Sequence, residues 1–425
     1  MINYIARHQF GANHIRTAER TDARAIWIPY VLVFIAISFN FFLCFVNTNI
    51  AIISPAHVIG AEVVIILMTL LVSYRSIGLY EAAAVSAVVF YLMALTFVRY
   101  AMSSTGEIDI KIIRDILIPI AFFLLGTRVS SLESADKFVG FCAIVVSIFC
   151  VVEYFFFDTF IRYFDIINYY ISRGTLDESE YWTGKLYINS VRPEGRSLFP
   201  FLGDTRVSSI FLEPISPGNF AVILFFWAIV RSKFERILYF GIFLMAIFIT
   251  IMADNRSGVY FGVLAVALSL VPISYQRLAA IVAPFAAIVV LLGFGFANPT
   301  GDIDNSFSGR FLFSGLFLMS FDISNWLGFR EAIDAYDSGY GYLISRTGIL
   351  GFVALWYLLM SLKGENPQFQ MYRALCGLYM AAAMCVGQPF SIKTASLLWF
   401  LLGVLSTMRG QFRFARIYTG SGSPG

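Results

Sequence analysis

Two long polar stretches of this chain, together with the short segments next to them, carry a set of arginines whose type and placement could bind and activate an anionic substrate. An arginine guanidinium presents a fixed fork of donors that matches phosphate oxygens, and it stays charged at any relevant pH. Several such groups together could stabilise a pyrophosphate leaving group as a divalent cation does in other enzymes. We therefore expect an anion site that uses neither a metal ion nor another cofactor. The arginines of this set are Arg192, Arg196, Arg206, Arg256, Arg310, Arg330 and Arg346.

A reaction at a sugar hydroxyl would also need a group that accepts a proton. The three histidines all precede the polar stretches: His8, His14 and His57. The remaining candidates by position are Glu213, Asp254, Asp337 and Tyr340. Glu213 is preferred because it closely follows Arg206, where a proline-containing, helix-breaking stretch enters an apolar segment. The alternative is structural, with the Glu213 carboxylate opposing the dipole of the next helix.

The composition indicates what kind of scaffold must position these residues. Apolar residues make up 59% of the chain and charged residues 13%, and the mean hydropathy is +0.76. Such a chain cannot build a water-soluble surface, so we predict an all-α polytopic membrane protein. The net charge of +3, with dispersed basic residues, argues against binding to nucleic acid. About twelve apolar runs are long enough to span a bilayer as helices: near 26–46, 50–72, 77–98, 112–127, 137–157, 210–230, 237–254, 256–272, 277–297, 339–361, 370–387 and 391–408.

The distribution of positive charge predicts the side of the membrane that each loop faces. An arginine-rich tail precedes the first apolar run, which lacks a small-residue cleavage site, so we expect an uncleaved span and a cytoplasmic tail. Twelve spans in a single transmembrane domain, residues 1–425, with both termini inside, then satisfy the positive-inside rule. The long stretches 158–206 and 298–338 fall outside. Residues 420–425, Gly-Ser-Gly-Ser-Pro-Gly, look like a flexible linker.

Other residues within these stretches and runs carry further expectations. The phenylalanines around Arg310 predict an amphipathic helix on the outer leaflet. Charged residues inside the apolar runs are expected to form ion pairs between helices: Glu62, Glu81, Glu153 and the neighbours Arg114 and Asp115. The five cysteines are expected to fill apolar space without disulfide bonds: Cys44, Cys142, Cys150, Cys376 and Cys385.

Four segments follow one another in a recognisable order. Residues 206–218 run from an arginine through Glu-Pro to a glycine, and residues 254–258 read Asp-Asn-Arg-Ser-Gly. Residues 308–329 begin with Ser-Gly-Arg and continue with an aromatic run, and residues 339–351 lead from Gly-Tyr-Gly-Tyr-Leu to Arg-Thr-Gly-Ile-Leu-Gly. Together the four segments resemble the O-antigen polymerase and ligase superfamily, the Wzy-like membrane glycosyltransferases of the GT-C type.

This resemblance implies a GT-C-like enzyme in a bacterial inner membrane, with its active site facing the periplasm between two large periplasmic loops. In the implied reaction, a hydroxyl of one lipid-linked repeat unit attacks the anomeric carbon of the growing glycan, and undecaprenyl pyrophosphate leaves. Glu213 would be the base, Arg310 would stabilise the leaving charge, and Tyr340 would be an orienting donor. The arginines that would bind the pyrophosphates are Arg206, Arg256, Arg310, Arg330, Arg346 and Arg192. The implied partners are undecaprenyl-pyrophosphate-linked glycans, membrane lipid, a chain-length regulator and a flippase.

Two alternative functions stay open at this point. A ligase of the same superfamily would move finished glycan onto another acceptor. Such ligases usually place a histidine just before the Tyr-Leu segment, where this chain has Asp337-Ser338-Gly339-Tyr340, so the polymerase is favoured. A lipid-linked oligosaccharide flippase, from a different class, would need a polar path that opens to each side in turn. The identity of the acceptor separates polymerase from ligase, and alternating-access labelling separates flippase from enzyme.

Overall fold

The computed structural model describes residues 27–74, 79–102, 111–176, 190–191, 197–203, 205–235, 239–301, 303, 306–330, 335–360, 366–384 and 390–408. Within these ranges the chain is helical apart from turns, short connections and one isolated bridge. The α-helices are α1 (Ile28–Asn49), α2 (Pro55–Ser73), α3 (Leu79–Met102), α4 (Lys111–Gly126), α5 (Leu132–Phe155), α6 (Phe157–Tyr163), α7 (Ile166–Ser172), α8 (Ile215–Glu235), α9 (Phe240–Met252), α10 (Arg256–Leu270), α11 (Ile273–Ala297), α12 (Phe307–Met319), α13 (Ile323–Leu327), α14 (Gly339–Met360), α15 (Pro367–Tyr379) and α16 (Ile392–Thr407).

Seven helices of the described chain are long and apolar enough to cross a membrane. A helix rises about 1.5 Å per residue, so roughly 20 residues are needed for a bilayer core about 30 Å thick. The seven are α1, α2, α3, α5, α8, α11 and α14. Each of the twelve apolar runs contains a helix, but several of these helices are shorter than a full span, including the 13-residue α9 and the 15-residue α10. The predicted all-helical membrane protein is thus confirmed in its helical class and its apolar helices.

The helices differ greatly in how much of their surface packs against protein. In α8, 89% of the residues of the apolar stretch are buried, whereas in α3 only 22% are. Helix α16 is likewise buried along almost its whole length and packs closely on α4. A Cβ built on Gly126 of α4 would lie 2.1 Å from the Phe400 carbonyl oxygen, and one on Gly403 would lie 2.1 Å from that of Phe123. These glycines let the two backbones approach, as small residues do in membrane bundles. Helices α8 and α16 therefore form the centre, and α3 lies at the edge.

Two ends of the bundle can be told apart by their contacts. One end carries the two long connections, 156–214 and 298–338, that link the long helices. At this end the start of α16 contacts the segment before α8, and the end of α1 contacts the start of α7. We call this the loop end. At the opposite end, Thr407 of α16 donates to the carbonyl of Val129, just after α4.

A satisfied ion-pair network joins three helices at the opposite end. The Arg231 guanidinium donates to both oxygens of Asp136, at 3.1 and 2.8 Å. The Trp227 indole and the Tyr239 hydroxyl donate to the same carboxylate at 2.9 and 2.7 Å. Gln368 accepts from the remaining arm of Arg231 at 3.2 Å. The Arg231 side chain is 2% exposed, so this network fixes α5, α8 and α15 to one another without solvent screening.

Helix α14 is broken at Gly348, a feature that we did not predict from the sequence. Gly348 has φ 65° and ψ 160°, a region that essentially only glycine occupies. Two side chains of α3 donate to backbone carbonyls directly before the break. Arg99 donates to the carbonyl of Arg346 at 2.7 Å, and the Tyr91 hydroxyl donates to that of Thr347 at 2.7 Å. Helix α3 is thus held to α14 at the break.

The amphipathic helix predicted around Arg310 exists as α12, but its small residues pack on protein. A Cβ on Gly315 would lie 2.3 Å from the Leu291 carbonyl oxygen of α11. Gly309, Leu312 and Leu318 are also buried, whereas Phe307 is half exposed. The face of α12 that carries these small residues and leucines is therefore buried, and Gly315 packs on α11. The cysteines of the described chain are free thiols: Cys44, Cys142, Cys150 and Cys376. Cys385 lies outside the described residues.

Candidate functional site

A buried segment that contains a short 3₁₀ turn, Ser209–Phe211, precedes α8 at the centre of the loop end. Ser208 to Leu212 are almost fully buried, and two of them, Ser209 and Leu212, have positive φ values of 52° and 64°. Backbone in this region is strained for residues other than glycine and tends to occur at functional sites.

The carboxylate of Glu153 holds this segment in place. It accepts the backbone N–H groups of Ser208 and Ser209, and the Ser208 distances are 3.0 and 2.9 Å. The Ser209 hydroxyl in turn donates to the carbonyl of Val146 on the same helix, α5. The interhelical ion pair predicted for Glu153 is therefore wrong within the described chain, because the carboxylate satisfies backbone donors that the strained turn would otherwise leave unpaired.

Glu213 forms an ion pair with Lys393, the second residue of α16. The Lys393 ammonium lies 3.0 Å from a Glu213 carboxylate oxygen and 3.0 Å from the carbonyl oxygen of Phe211. The Ser216 hydroxyl donates to the same carboxylate at 2.6 Å. Burial alone would raise the pKa of Glu213, but the Lys393 charge and the Ser216 hydrogen bond outweigh it and hold that pKa below its ordinary value. Glu213 is therefore ionised at neutral pH.

A second set of charges joins α2, α4 and α14. Arg114 forms ion pairs with Glu62 of α2 and with its neighbour Asp115 on α4, the latter at 2.7 Å. The pair with Glu62 confirms the predicted ion pair between helices. Asp115 also accepts the Tyr342 hydroxyl at 2.5 Å. Arg173, which follows α7, and Lys393 interact electrostatically with both Glu62 and Glu213, so the two sets of charges are neighbours. The side chain of Glu81 lies outside the described residues.

Three more cations surround this second set. The Arg346 guanidinium lies over the Tyr342 ring at 4.3 Å from its centroid, and the Lys111 ammonium is 5.3 Å from the same centroid. Arg99 donates to the backbone of Arg346. We call the whole assembly the loop-end cluster, and its members are Glu62, Arg99, Lys111, Arg114, Asp115, Arg173, Glu213, Tyr342, Arg346 and Lys393. Among these described residues, six cations face three carboxylates, so the cluster favours an anionic ligand.

The structure brings only Glu213 and Arg346 of the predicted site residues into this cluster. Arg206 donates to the carbonyl of Ala253, at the turn between α9 and α10, and Arg256 is the first residue of α10. Arg310 pairs with Asp337 at 3.4 Å, and Arg330 pairs with Asp322 at 2.7 Å on the exposed surface. Arg192 and Arg196 lie outside the described residues.

Two other candidate proton acceptors have structural partners. Tyr340 is fully buried, its ring packs edge-on against Phe352, and its hydroxyl donates to the Met380 carbonyl at 3.0 Å. In this arrangement the Tyr340 proton is not available to a substrate. Asp254 has a positive φ of 47°, and its carboxylate accepts two backbone N–H groups of residues 198 and 199. Asp254 thus fixes the first long loop to the α9–α10 turn.

Sequence reasoning did not assign Lys393, Arg173, Arg99 or Lys111 to the site. One signal was available for Lys393, because a lone lysine inside an apolar run usually has a functional or structural partner. Its partner Glu213 is 180 residues away in sequence, and that pairing requires the tertiary fold.

We expect the Glu213–Lys393 pair to make stability depend on acid pH. A carboxyl whose pKa is lower in the folded than in the unfolded protein stabilises the fold fully above the unfolded-state pKa, about 4.3 for glutamate. That contribution disappears as the pH falls through the lower pKa of the folded state. Wild-type protein should therefore melt at a higher temperature than Glu213→Gln at pH 7, and the two should converge below about pH 4. A difference in melting temperature that stays constant down to acid pH would contradict this pairing.

No protein-family model, curated protein or solved structure matches this chain.

Proposed function

We propose that this chain is a membrane glycosyltransferase that polymerises lipid-linked repeat units and releases undecaprenyl pyrophosphate. The observation that carries the proposal is the loop-end cluster, in which cations from α3, α4, α14 and α16 and from the residue after α7 converge on one buried region. A pyrophosphate leaving group requires such charge-assisted donors. The motif resemblance noted above supplies the reaction class.

In the proposed reaction, the acceptor hydroxyl attacks the anomeric carbon of the donor's reducing-end sugar. The bond from that carbon to the pyrophosphate oxygen breaks, and the departing oxygen takes the negative charge. Arg346 and its neighbours would stabilise that charge, since a guanidinium keeps its own charge throughout. Glu213, ionised beside Lys393, would accept the hydroxyl proton once the substrate displaces the ammonium. The hydroxyl of Ser216 keeps the carboxylate oriented.

The proposed location is a bacterial inner membrane, with the loop end at the periplasmic face. Twelve spans with both termini in the cytoplasm are part of this proposal, and the positive-inside pattern supports them. The enrichment of non-helical backbone and charge at the loop end supports an active site there, because a lipid-linked pyrophosphate lies at the membrane surface. A chain-length regulator and a flippase are the proposed partners.

The direct test uses the purified protein and one synthetic lipid-linked repeat unit in the presence of a chelator. We expect a ladder of products on a gel that resolves glycan length. Transfer to an unrelated lipid acceptor without a ladder would indicate a ligase instead. Movement of the unit across a vesicle membrane, without a new glycosidic bond, would indicate a flippase. Unchanged substrate, with the natural repeat unit and the partner proteins present, would refute the enzyme.

Replacing Arg310 with alanine should abolish polymer while the protein still inserts. Arg310 lies outside the loop-end cluster, but its side chain is 27% exposed beside Asp337, and in the proposed reaction it would reach the substrate from the α12 side. Removal of one donor to a leaving charge typically lowers the rate by about 100- to 1,000-fold. The matched control is Arg277→Ala, an exposed arginine at the opposite end, which should leave polymer unchanged. Normal chain length in the Arg310 variant would remove Arg310 from the site.

A further inference from the structure

Arg173 is a loop-end cation that belongs to neither of the two sets of ion pairs described above. It directly follows α7, and its guanidinium lies over the rings of Tyr169 and Tyr170, 5.5 and 5.0 Å from their centroids. Both rings are fixed by their own hydroxyls. Tyr169 donates to the side chain of Asn40 at 2.6 Å, and Tyr170 donates to the carbonyl of Leu212 at 3.4 Å. The guanidinium is therefore held in one place by α1 and by the strained segment before α8.

The Nη1 atom of Arg173 is buried and has no hydrogen-bond partner in the described part of the chain. Arg173 interacts electrostatically with two carboxylates, Glu62 and Glu213. Each of these already forms an ion pair with another cation, Glu62 with Arg114 and Glu213 with Lys393. Buried donors in folded proteins are almost always partnered, and an exception indicates a missing ligand or water. Arg173 is partly buried, and a buried Nη1 donor without a partner is costly unless an anion joins it.

We propose that Arg173 binds an oxyanion of the substrate, with Nη1 as the donor and the Lys393 ammonium beside it. Phosphate and carboxylate oxygens both match the guanidinium fork. The oxyanion therefore has two possible sources: a phosphate of the lipid carrier, or the carboxylate of an acidic sugar in the repeat unit. This inference rests on the proposed function for the identity of the substrate, but not for the existence of the anion site.

The test measures binding directly and does not depend on polymer synthesis. Purified wild-type protein is titrated with inorganic pyrophosphate and, separately, with glucuronate, in an isothermal titration calorimeter. The variants are Arg173→Gln and Arg173→Lys, and the matched control is Arg162→Gln, an exposed arginine on α6 of the same long connection. Size-exclusion chromatography and melting temperature establish that each variant is folded.

We expect the wild type to bind at least one of the two anions, and Arg162→Gln to bind that anion with the same affinity as the wild type. Arg173→Gln should bind that anion roughly 10- to 100-fold more weakly, the loss expected for a hydrogen bond to a charged group. Arg173→Lys should recover part of this loss, because it keeps the charge without the fork. Dependence of pyrophosphate binding on Arg173 indicates the carrier phosphate, and dependence of glucuronate binding indicates an acidic sugar.

Two results would overturn the anion site. The first is a folded Arg173→Gln protein that binds both anions as well as the wild type does. The second is a wild-type protein that binds neither anion. Arg173-dependent binding combined with no polymer in the synthesis assay would refute the proposed polymerase and leave the anion site standing.

Discussion

Gly348→Ala should destabilise the protein by about 3 kcal/mol or more, the sum expected for backbone strain and overpacking. Alanine at φ 65° and ψ 160° is strained in itself. Its Cβ would also lie 2.5 Å from the carbonyl oxygen of Leu327, the last residue of α13, which is backbone and cannot turn aside. Titration of the purified protein with SDS should show the lower midpoint of unfolding.

The control for this variant is Gly60→Ala on α2. A Cβ at Gly60 would meet no heavy atom within 4 Å, and the position is an ordinary helical one. Its unfolding midpoint should be unchanged or slightly raised, since alanine favours helix over glycine. A Gly348→Ala protein as stable as the wild type would show that α14 can run straight through this position.

Asp136→Ala should cost about 3–5 kcal/mol of stability, the range for removing one partner of a buried ion pair. The substitution leaves Arg231 charged and 2% exposed, with the neutral side chains of Gln368 and Tyr239 as hydrogen-bond partners and no carboxylate from the network. It also removes the acceptor of the Trp227 indole and of the Tyr239 hydroxyl. SDS titration again measures the loss.

The matched control is Glu133→Gln, one turn earlier on α5. Glu133 pairs with Lys137 at 2.7 Å, but the two side chains are 78% and 76% exposed, so solvent screens the pair. Its unfolding midpoint should not change measurably. If Asp136→Ala and Glu133→Gln behaved alike, the network at the opposite end would not hold the helices together.

The fold was predictable to the extent that membrane helices follow from local composition. Each apolar run contains a helix because a bilayer core requires backbone hydrogen bonds to be made within the segment. The break in α14 could not be predicted in this way. A glycine in an apolar run is compatible with a straight helix, and the conformation of Gly348 depends on α13 packing against it and on donors from α3.

The site was predictable where chemistry and local sequence coincide. Glu213 follows from a carboxylate beside helix-breaking prolines, and the pairing of Arg114 with Glu62 and Asp115 follows from charge inside apolar runs. The wider set of arginines was predicted only from the residue type and from the predicted side of the membrane. These two properties do not specify where each side chain points. Arg330, for example, pairs with Asp322 on the exposed surface.

The attachment of α3 at the break of α14 links two equilibria, the packing of α3 against α14 and the straightening of α14 at Gly348. The carbonyls of Arg346 and Thr347 accept hydrogen bonds from side chains of α3. Displacement of α3 would remove both donors and favour a straighter α14, and straightening of α14 would in turn weaken the anchor of α3. Coupling of this kind is reciprocal. If the packing of α3 changes the affinity for a ligand of Arg346, that ligand must change the equilibrium between packed and displaced α3 by the same factor. The packing of α3, the least buried of the seven candidate spans, is therefore coupled to the position of Arg346.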